Sequence, residues 1–238
     1  MRYFILILIT ICTNCMHSKI QNDNLIVESI LKELKQDCND TNKVKKTLQF
    51  YDSYLWANNY IKTDSLLNLS YNISLKNNFY FGQLFSLKNL AAHNIREGNF
   101  QLAIKFYLKN IEVCKRFNDT VNVARAYAGI GLVHYFNKNY LEANKNYFTA
   151  KPILEKSGNK ELLHWLYHIL GANFCGLKSY TQSLYFLNKA LIIRKDLKLN
   201  NSIWATQTQI AEVLLNINKL NIKKLIPVNY ISYKKHRK

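Results

Sequence analysis

Two histidines stand four residues apart in His164-Trp165-Leu166-Tyr167-His168. Residues at i and i+4 share one face of a helix, which is the spacing a zinc-binding helix uses. A catalytic zinc also needs a third ligand and a general base. No Glu stands between these two histidines and no third ligand is near in sequence, so the pair reads as two polar helix positions, one turned toward a groove, and no metal site is expected. His134, between Val133 and Tyr135, reads as a packed interior histidine. The cysteines form no CxxC and no paired Cys/His spacing, which points to neither a disulfide framework nor a zinc site; Cys114 and Cys175 read as small buried hydrophobes. There is no phosphate-cradling Gly-rich loop, no G-x-S-x-G elbow and no H-E-x-x-H, and the 15 acidic residues form no carboxylate pair. The sequence therefore predicts no enzyme, no cofactor and no small-molecule substrate.

The elements that carry these residues follow from composition and pattern. The chain has 238 residues, 48% of them hydrophobic, with only 7 Gly and 2 Pro. So few turn formers argue against a many-turned all-β fold, and the apolar fraction argues against disorder, leaving an all-α class. The length fits one domain or an array of smaller units. The formal charge is +18, from 33 Lys+Arg against 15 Asp+Glu. Asn, Lys and Ile, the amino acids of AT-rich codons, are frequent, so the charge alone is weak evidence for nucleic-acid binding.

Laid against itself, the chain repeats. Leu87-x-x-Leu90-Ala91 leads to Gly98-Asn99-Phe100-x-x-Ala103-x-x-x-Tyr107. Tyr127-x-x-Ile130-Gly131 leads to Lys138-Asn139-Tyr140-x-x-Ala143-x-x-x-Tyr147, and Tyr167-x-x-Leu170-Gly171 to Lys178-Ser179-Tyr180-x-x-Ser183-x-x-x-Leu187. Ala103, Ala143 and Ser183 are 40 residues apart each time. A fixed period in this range means stacked supersecondary units, each too small to bury its own face. Each unit holds two stretches of 3.6-residue periodicity around a short polar break, hence a helix hairpin. Gly131, Gly171, Ala143 and Ser183 are expected where helices cross closely, with Phe100, Tyr140 and Tyr180 pinning each second helix and Tyr107 and Tyr147 packing into the next hairpin.

This pattern resembles the tetratricopeptide repeat family over about residues 44–218, most clearly at Tyr127, Ile130, Gly131, Tyr140, Ala143, Tyr147, Ala150 and Pro152. The period exceeds the family's usual 34, which implies longer helices. The resemblance implies a right-handed α-solenoid of stacked hairpins whose first helices line a concave, protein- or peptide-binding surface. By that register the inward positions include Lys88, Ala92 and Arg96, then Arg125, Leu132, Tyr135 and Phe136, then Trp165, His168 and Ala172. Bases and aromatics together suit an extended acidic peptide. The chain also resembles the extracytoplasmic repeat region that precedes a membrane span in some bacterial sensor kinases and regulators.

Outside the repeats, Arg2 and the apolar run Phe4–Ile11 read as an export signal, too short to span a bilayer, over residues 1–15. The segment resembles a bacterial lipoprotein signal with Cys15 as the acylated residue, which would supply a lipid anchor and an exported, periplasmic or membrane-anchored location. The alternative is a cytoplasmic regulator that keeps this segment buried and binds a signalling peptide or, through its basic tail, nucleic acid. Residues 16–43 are expected as a capping helix around Leu25, Ile26, Ile30, Leu31 and Leu34, followed by a degenerate repeat copy with Phe50, Tyr54 and Asn58-Asn59-Tyr60. Residues 219–238 carry seven Lys or Arg and no acid, with Pro227 inside what would be a second helix, and read as a basic tail or a shortened last repeat.

Overall fold

The computed structural model describes residues 28–29, 32, 41–50 and 63–225. The export signal with Cys15, nearly all of the capping segment, Tyr54 and Asn58-Asn59-Tyr60, and the tail beyond Leu225 lie outside the described residues. Every described element is an α-helix: α1 Thr41–Phe50, α2 Thr63–Lys76, α3 Tyr80–Arg96, α4 Phe100–Arg116, α5 Thr120–Phe136, α6 Tyr140–Ser157, α7 Lys160–Gly176, α8 Tyr180–Asp196 and α9 Asn200–Leu225. The chain divides into two compact units, Met1–Ala126 and Tyr127–Lys238, with the division inside α5.

The 40-residue repeat resolves into a 20-residue step. Helices α3 to α9 begin at residues 80, 100, 120, 140, 160, 180 and 200. The residue with positive φ after each helix recurs at Asn78, Gly98, Asn118, Lys138, Gly158, Lys178 and Lys198. At Asn78 its N–H donates to Leu75 O at 3.2 Å, and the next N–H, of Phe79, donates to Ser74 O at 2.8 Å. This is the Schellman closure, which satisfies carbonyls left over at a helix end. The same pair of bonds recurs at Gly98, Asn118, Lys138, Lys178 and Lys198. Except at the two-residue corner Gly158–Asn159, the corners within a hairpin and between hairpins are therefore the same three-residue turn. Left-handed backbone is free for Gly and costs other L-residues about 1–2 kcal/mol. Entry into the next helix is capped by Asx side chains at several corners: Asp119 Oδ1 accepts from Asn122 N at 2.9 Å and Asn159 Oδ1 from Leu162 N at 3.0 Å.

In the first unit the core gathers Val44, Leu48, Leu66, Leu67, Ile73 and Leu90, with Leu69, Phe79, Phe85 and Phe106 packed against it. Helix α2 packs on α3 where Gly82 allows it, since a Cβ there would lie 2.0 Å from Ser74 Oγ. Beside that crossing the fully buried Gln83 donates to Ser74 O and accepts from Arg116 Nη2 at 2.9 Å, so neither amide end is left unpaired. Ala91 and Ala103 are also fully buried. Between hairpins, Tyr80 OH donates to Asp119 Oδ2 at 2.8 Å.

In the second unit two close crossings set the packing. A Cβ on Gly131 would meet the Tyr147 ring at 2.5 Å and Ala143 O at 3.1 Å; one on Gly171 would meet Leu187 Cγ at 2.5 Å. The buried Ser183 Oγ donates to Gly171 O at 2.7 Å, closing α7 on α8. Tyr147 thus seats on Gly131 of its own hairpin instead of reaching only into the next, because the missing Cβ leaves room for the ring. The Tyr140 ring lies against Gly176 at the end of α7. Tyr147, Leu154, Leu166, Leu170 and Leu187 are fully buried, each contributing about 1.5–3 kcal/mol by leaving water. Helix α9 does not turn at residue 218, where the next step of the period falls; it runs on to Leu225, so the first residues of the expected basic tail are helical.

Candidate functional site

In the first unit, α3 presents Phe81, Phe85, Lys88, Ala92 and Arg96 on one side, at steps of three and four residues. The Phe81 and Phe85 rings are 5.8 Å apart, and Lys88 Nζ lies 4.8 Å from the Phe85 ring centre. Phe85 and Lys88 are half-buried; Phe81 and Arg96 are exposed. A cation laid over an aromatic face is attracted by the ring quadrupole. Arg125, half-buried on α5, stands close enough to Tyr107 for its charge to work against the burial that pushes that phenol up to about 12. Tyr107 of α4 thus lies near Arg125 of α5.

In the second unit, α5 ends in an aromatic corner. The half-buried Tyr135 ring lies 5.6 Å from exposed Phe136, edge to face, and 5.8 Å from Tyr140. Burial raises the Tyr135 hydroxyl pKa, with Tyr140, Cys175 and Glu212 adding to the effect. Cys175 is half-buried and is raised by burial and then by Glu212. Ends of α5 and α7 and the middle of α9 therefore converge here. Trp165 lies half-buried on α7. Cys114, in the first unit, is buried, and its thiol donates to Asn110 Oδ1 at 3.3 Å. Burial holds both thiols protonated.

His164 and His168 face a cation. Arg194, only 5% exposed in the last turn of α8, donates from Nε to His164 Nδ1 at 3.2 Å and from Nη1 toward His168 Nδ1 at 3.2 Å. It also donates to Ser202 O at 2.8 Å and to Thr206 Oγ1, both on α9. A guanidinium has no acceptor, so both imidazoles must present a bare Nδ1 and carry their proton on Nε2. Burial, then Arg194, then His164 lowers the His168 pKa to about 4; burial, then Arg194, lowers that of His164, against Glu161 at 3.6 Å. The cluster ties α7, α8 and α9 together. A metal ion brought to these two Nδ1 atoms would have to displace a buried cation. Among the described residues no group of three His, Cys, Asp or Glu is placed to hold a metal.

Residues 83–156 match the family model of the tetratricopeptide repeat. Residues 83–156 carry tetratricopeptide repeats. Two solved structures share the chain's fold. The apo form of RapI superposes with TM-score 0.60 at 16% identity, covering 80% of this chain and 74% of that one. BtubC (BKLC) from P. vanneervenii superposes with TM-score 0.51 at 13% identity, covering 79% and 82%. No curated protein sequence matches the chain. The fold is thus the all-α solenoid class of stacked hairpins.

Within that tetratricopeptide frame, Lys88, Arg96 and Arg125 fall in the first unit, and Tyr135, Phe136, Trp165 and His168 in the second. His168 differs from the others in having its Nδ1 committed to Arg194. Phe85 and Phe81 were not singled out in the sequence, although one and two more turns of the same register back from Lys88 reach them. Nor was Arg194, for which no local pattern exists: its place beside His164 and His168 comes from hairpin packing across 26 to 30 residues.

Proposed function

We propose that this chain is a non-enzymatic scaffold that binds an extended acidic peptide or protein segment along its first helices. The observation that carries the reading is the α3 stripe, where Lys88 lies over Phe85 next to Phe81 with Arg96 beyond. Aromatic rings held by packing supply anchors at little entropic cost, and guanidinium groups supply forked donors to carboxylates. Arg125 in the same unit adds a second guanidinium; Tyr135, Phe136 and Trp165 give the second unit an aromatic surface of its own.

The proposal includes location. The chain acts outside the cytoplasm, held through a lipid on Cys15, as an adaptor linked to envelope signalling. The basic, then apolar, then cysteine-containing order of its first residues supports that reading. No helix among the described residues is long and apolar enough to cross a membrane.

In-cell cross-linking in the native host, with a tag inserted between residues 157 and 160, tests partner and place together. Envelope proteins cross-linked near Lys88, and an intact mass corresponding to cleavage before Cys15 with a diacylglycerol adduct, are expected. Cytosolic partners on an uncleaved chain would overturn the location and leave the peptide reading to stand or fall on the Lys88 contacts.

A further inference from the structure

A second surface lies at the far side of α9, and it does not rest on the peptide reading above. Trp204, Thr208, Ala211 and Leu215 follow one another at steps of four, three and four residues, the spacing of a helix seam that receives another helix. Trp204 is 72% exposed and Leu215 59%, and Ala211 and Thr208 are exposed with them. Val213 and Thr206, on the opposite side of α9, are fully buried, so the helix is already seated and this seam is its outer face.

The repeat states what belongs on such a face. Stepping 40 residues back from Ala211 reaches Gly171, covered by Leu187, and a further 40 reaches Gly131, covered by Tyr147. In both cases the covering residue comes 16 positions later in sequence, on the following helix. Sixteen after Ala211 is Pro227, a residue that interrupts a helix interior. Because α9 also omits the turn at residue 218, the covering helix does not begin where the period places it.

Charge selects the occupant. From Asn200 to Asn218 the helix carries Glu212 and no Lys or Arg, in a chain of net charge +18. Both ends are cationic: exposed Lys195 and Lys198 precede the seam and exposed Lys219 follows it, none with an ion pair among the described residues. A second copy of a +18 chain is repelled. We propose that the outer face of α9 docks an amphipathic helix of another protein, one with a small-residue and leucine seam and acidic residues at its flanks. Ala211 allows close approach at the centre, as Gly171 and Gly131 do in the preceding hairpins.

The test titrates the full chain against a labelled synthetic helix with Leu and Ala at heptad spacing and Glu at every flanking position, and against the same seam flanked by Lys. The acidic peptide is expected to bind at least about tenfold more tightly and to shift the emission of Trp204 to shorter wavelength, a shift lost in Trp204→Phe. Leu215→Glu is expected to weaken it by about tenfold or more, while Leu141→Glu, at an exposed leucine on α6, leaves it unchanged with the helical circular dichroism of both variants intact. Equal binding of the two peptides, or no effect of Leu215→Glu, would overturn the proposal. So would a wild-type dimer in light scattering that Leu215→Glu converts to monomer, since a second copy would then hold the face.

Discussion

Helices α7 and α9 occupy the same place in successive hairpins of the second unit, yet their corresponding positions have opposite fates. On α7, His164 and Tyr167 are buried and Gly171 lies under Leu187. Forty residues on, Trp204, Gln207 and Ala211 face water. Tryptophan is the largest apolar side chain among these, and it is 72% exposed. In a repeat architecture the neighbouring helix, not the residue's own hydropathy, decides burial, because each hairpin contributes only one face of a shared core.

The widest separation between the two helices comes from the side chains that meet these faces. Leu187→Ala deletes a fully buried side chain from the α7 crossing and is expected to cost about 2–5 kcal/mol, whereas Leu215→Ala on α9 stays within about 0.5 kcal/mol. Urea melts of the two variants measure the gap. Next comes Gly171→Val, which drives a Cβ to 2.5 Å from Leu187 Cγ and is expected to cost about 1–3 kcal/mol by overpacking. Ala211→Val, with no helix above it, loses only the small helix-propensity difference.

The junction that joins α7 and α8 to α9 makes stability depend on pH. His168 has a folded pKa of about 4 against an ordinary 6.5, and His164 is lowered as well. Between those values the unfolded chain holds more protons, so the stabilisation is complete above about pH 6.5 and is lost as pH falls toward 4. His168→Gln, which keeps an acceptor for Arg194 without titrating, is expected to flatten that slope in melts recorded from pH 7 to 4.5. An unchanged slope would place the proton uptake elsewhere.

The smallest effect concerns the turns. Lys178 sits at φ +59°, and Lys178→Gly is expected to stabilise by about 0.5–1 kcal/mol because Gly enters the left-handed region freely. Asn218→Gly, one period on, falls inside continuous α9 and is expected to destabilise by a few tenths of a kcal/mol. Thermal melts that moved both variants in the same direction would mean the two positions share one backbone conformation.

Much of this architecture is legible in the residues because the repeat makes local and global signals agree. The 40-residue spacing of Ala103, Ala143 and Ser183, and the aromatic that opens each second helix, locate hairpins that begin at Tyr80, Thr120 and Lys160. The 20-residue step was harder to read, since its marker is backbone conformation: two of the seven positive-φ residues are Gly, and the others are Asn or Lys. The uninterrupted run of α9 was likewise hidden, because the hydrophobic pattern around Ile210, Leu214 and Leu215 is the same whether or not the chain turns at residue 218. At the candidate site, Lys88 and Arg125 follow from register, while Arg194 against two histidines depends on packing across α7, α8 and α9 that no local spacing encodes.

The claim that basic and aromatic side chains on the first helices grip an acidic segment is most directly tested by peptide binding. Fluorescence anisotropy would follow a labelled peptide of alternating Glu and Phe against the full chain and against the triple variant Lys88→Glu, Arg96→Glu, Arg125→Glu. The wild-type chain is predicted to bind it with an affinity that falls as salt is raised, and the triple variant to bind at least about tenfold more weakly. Equal affinity of the two proteins, or equal binding of a Lys and Phe peptide by the wild type, would contradict it.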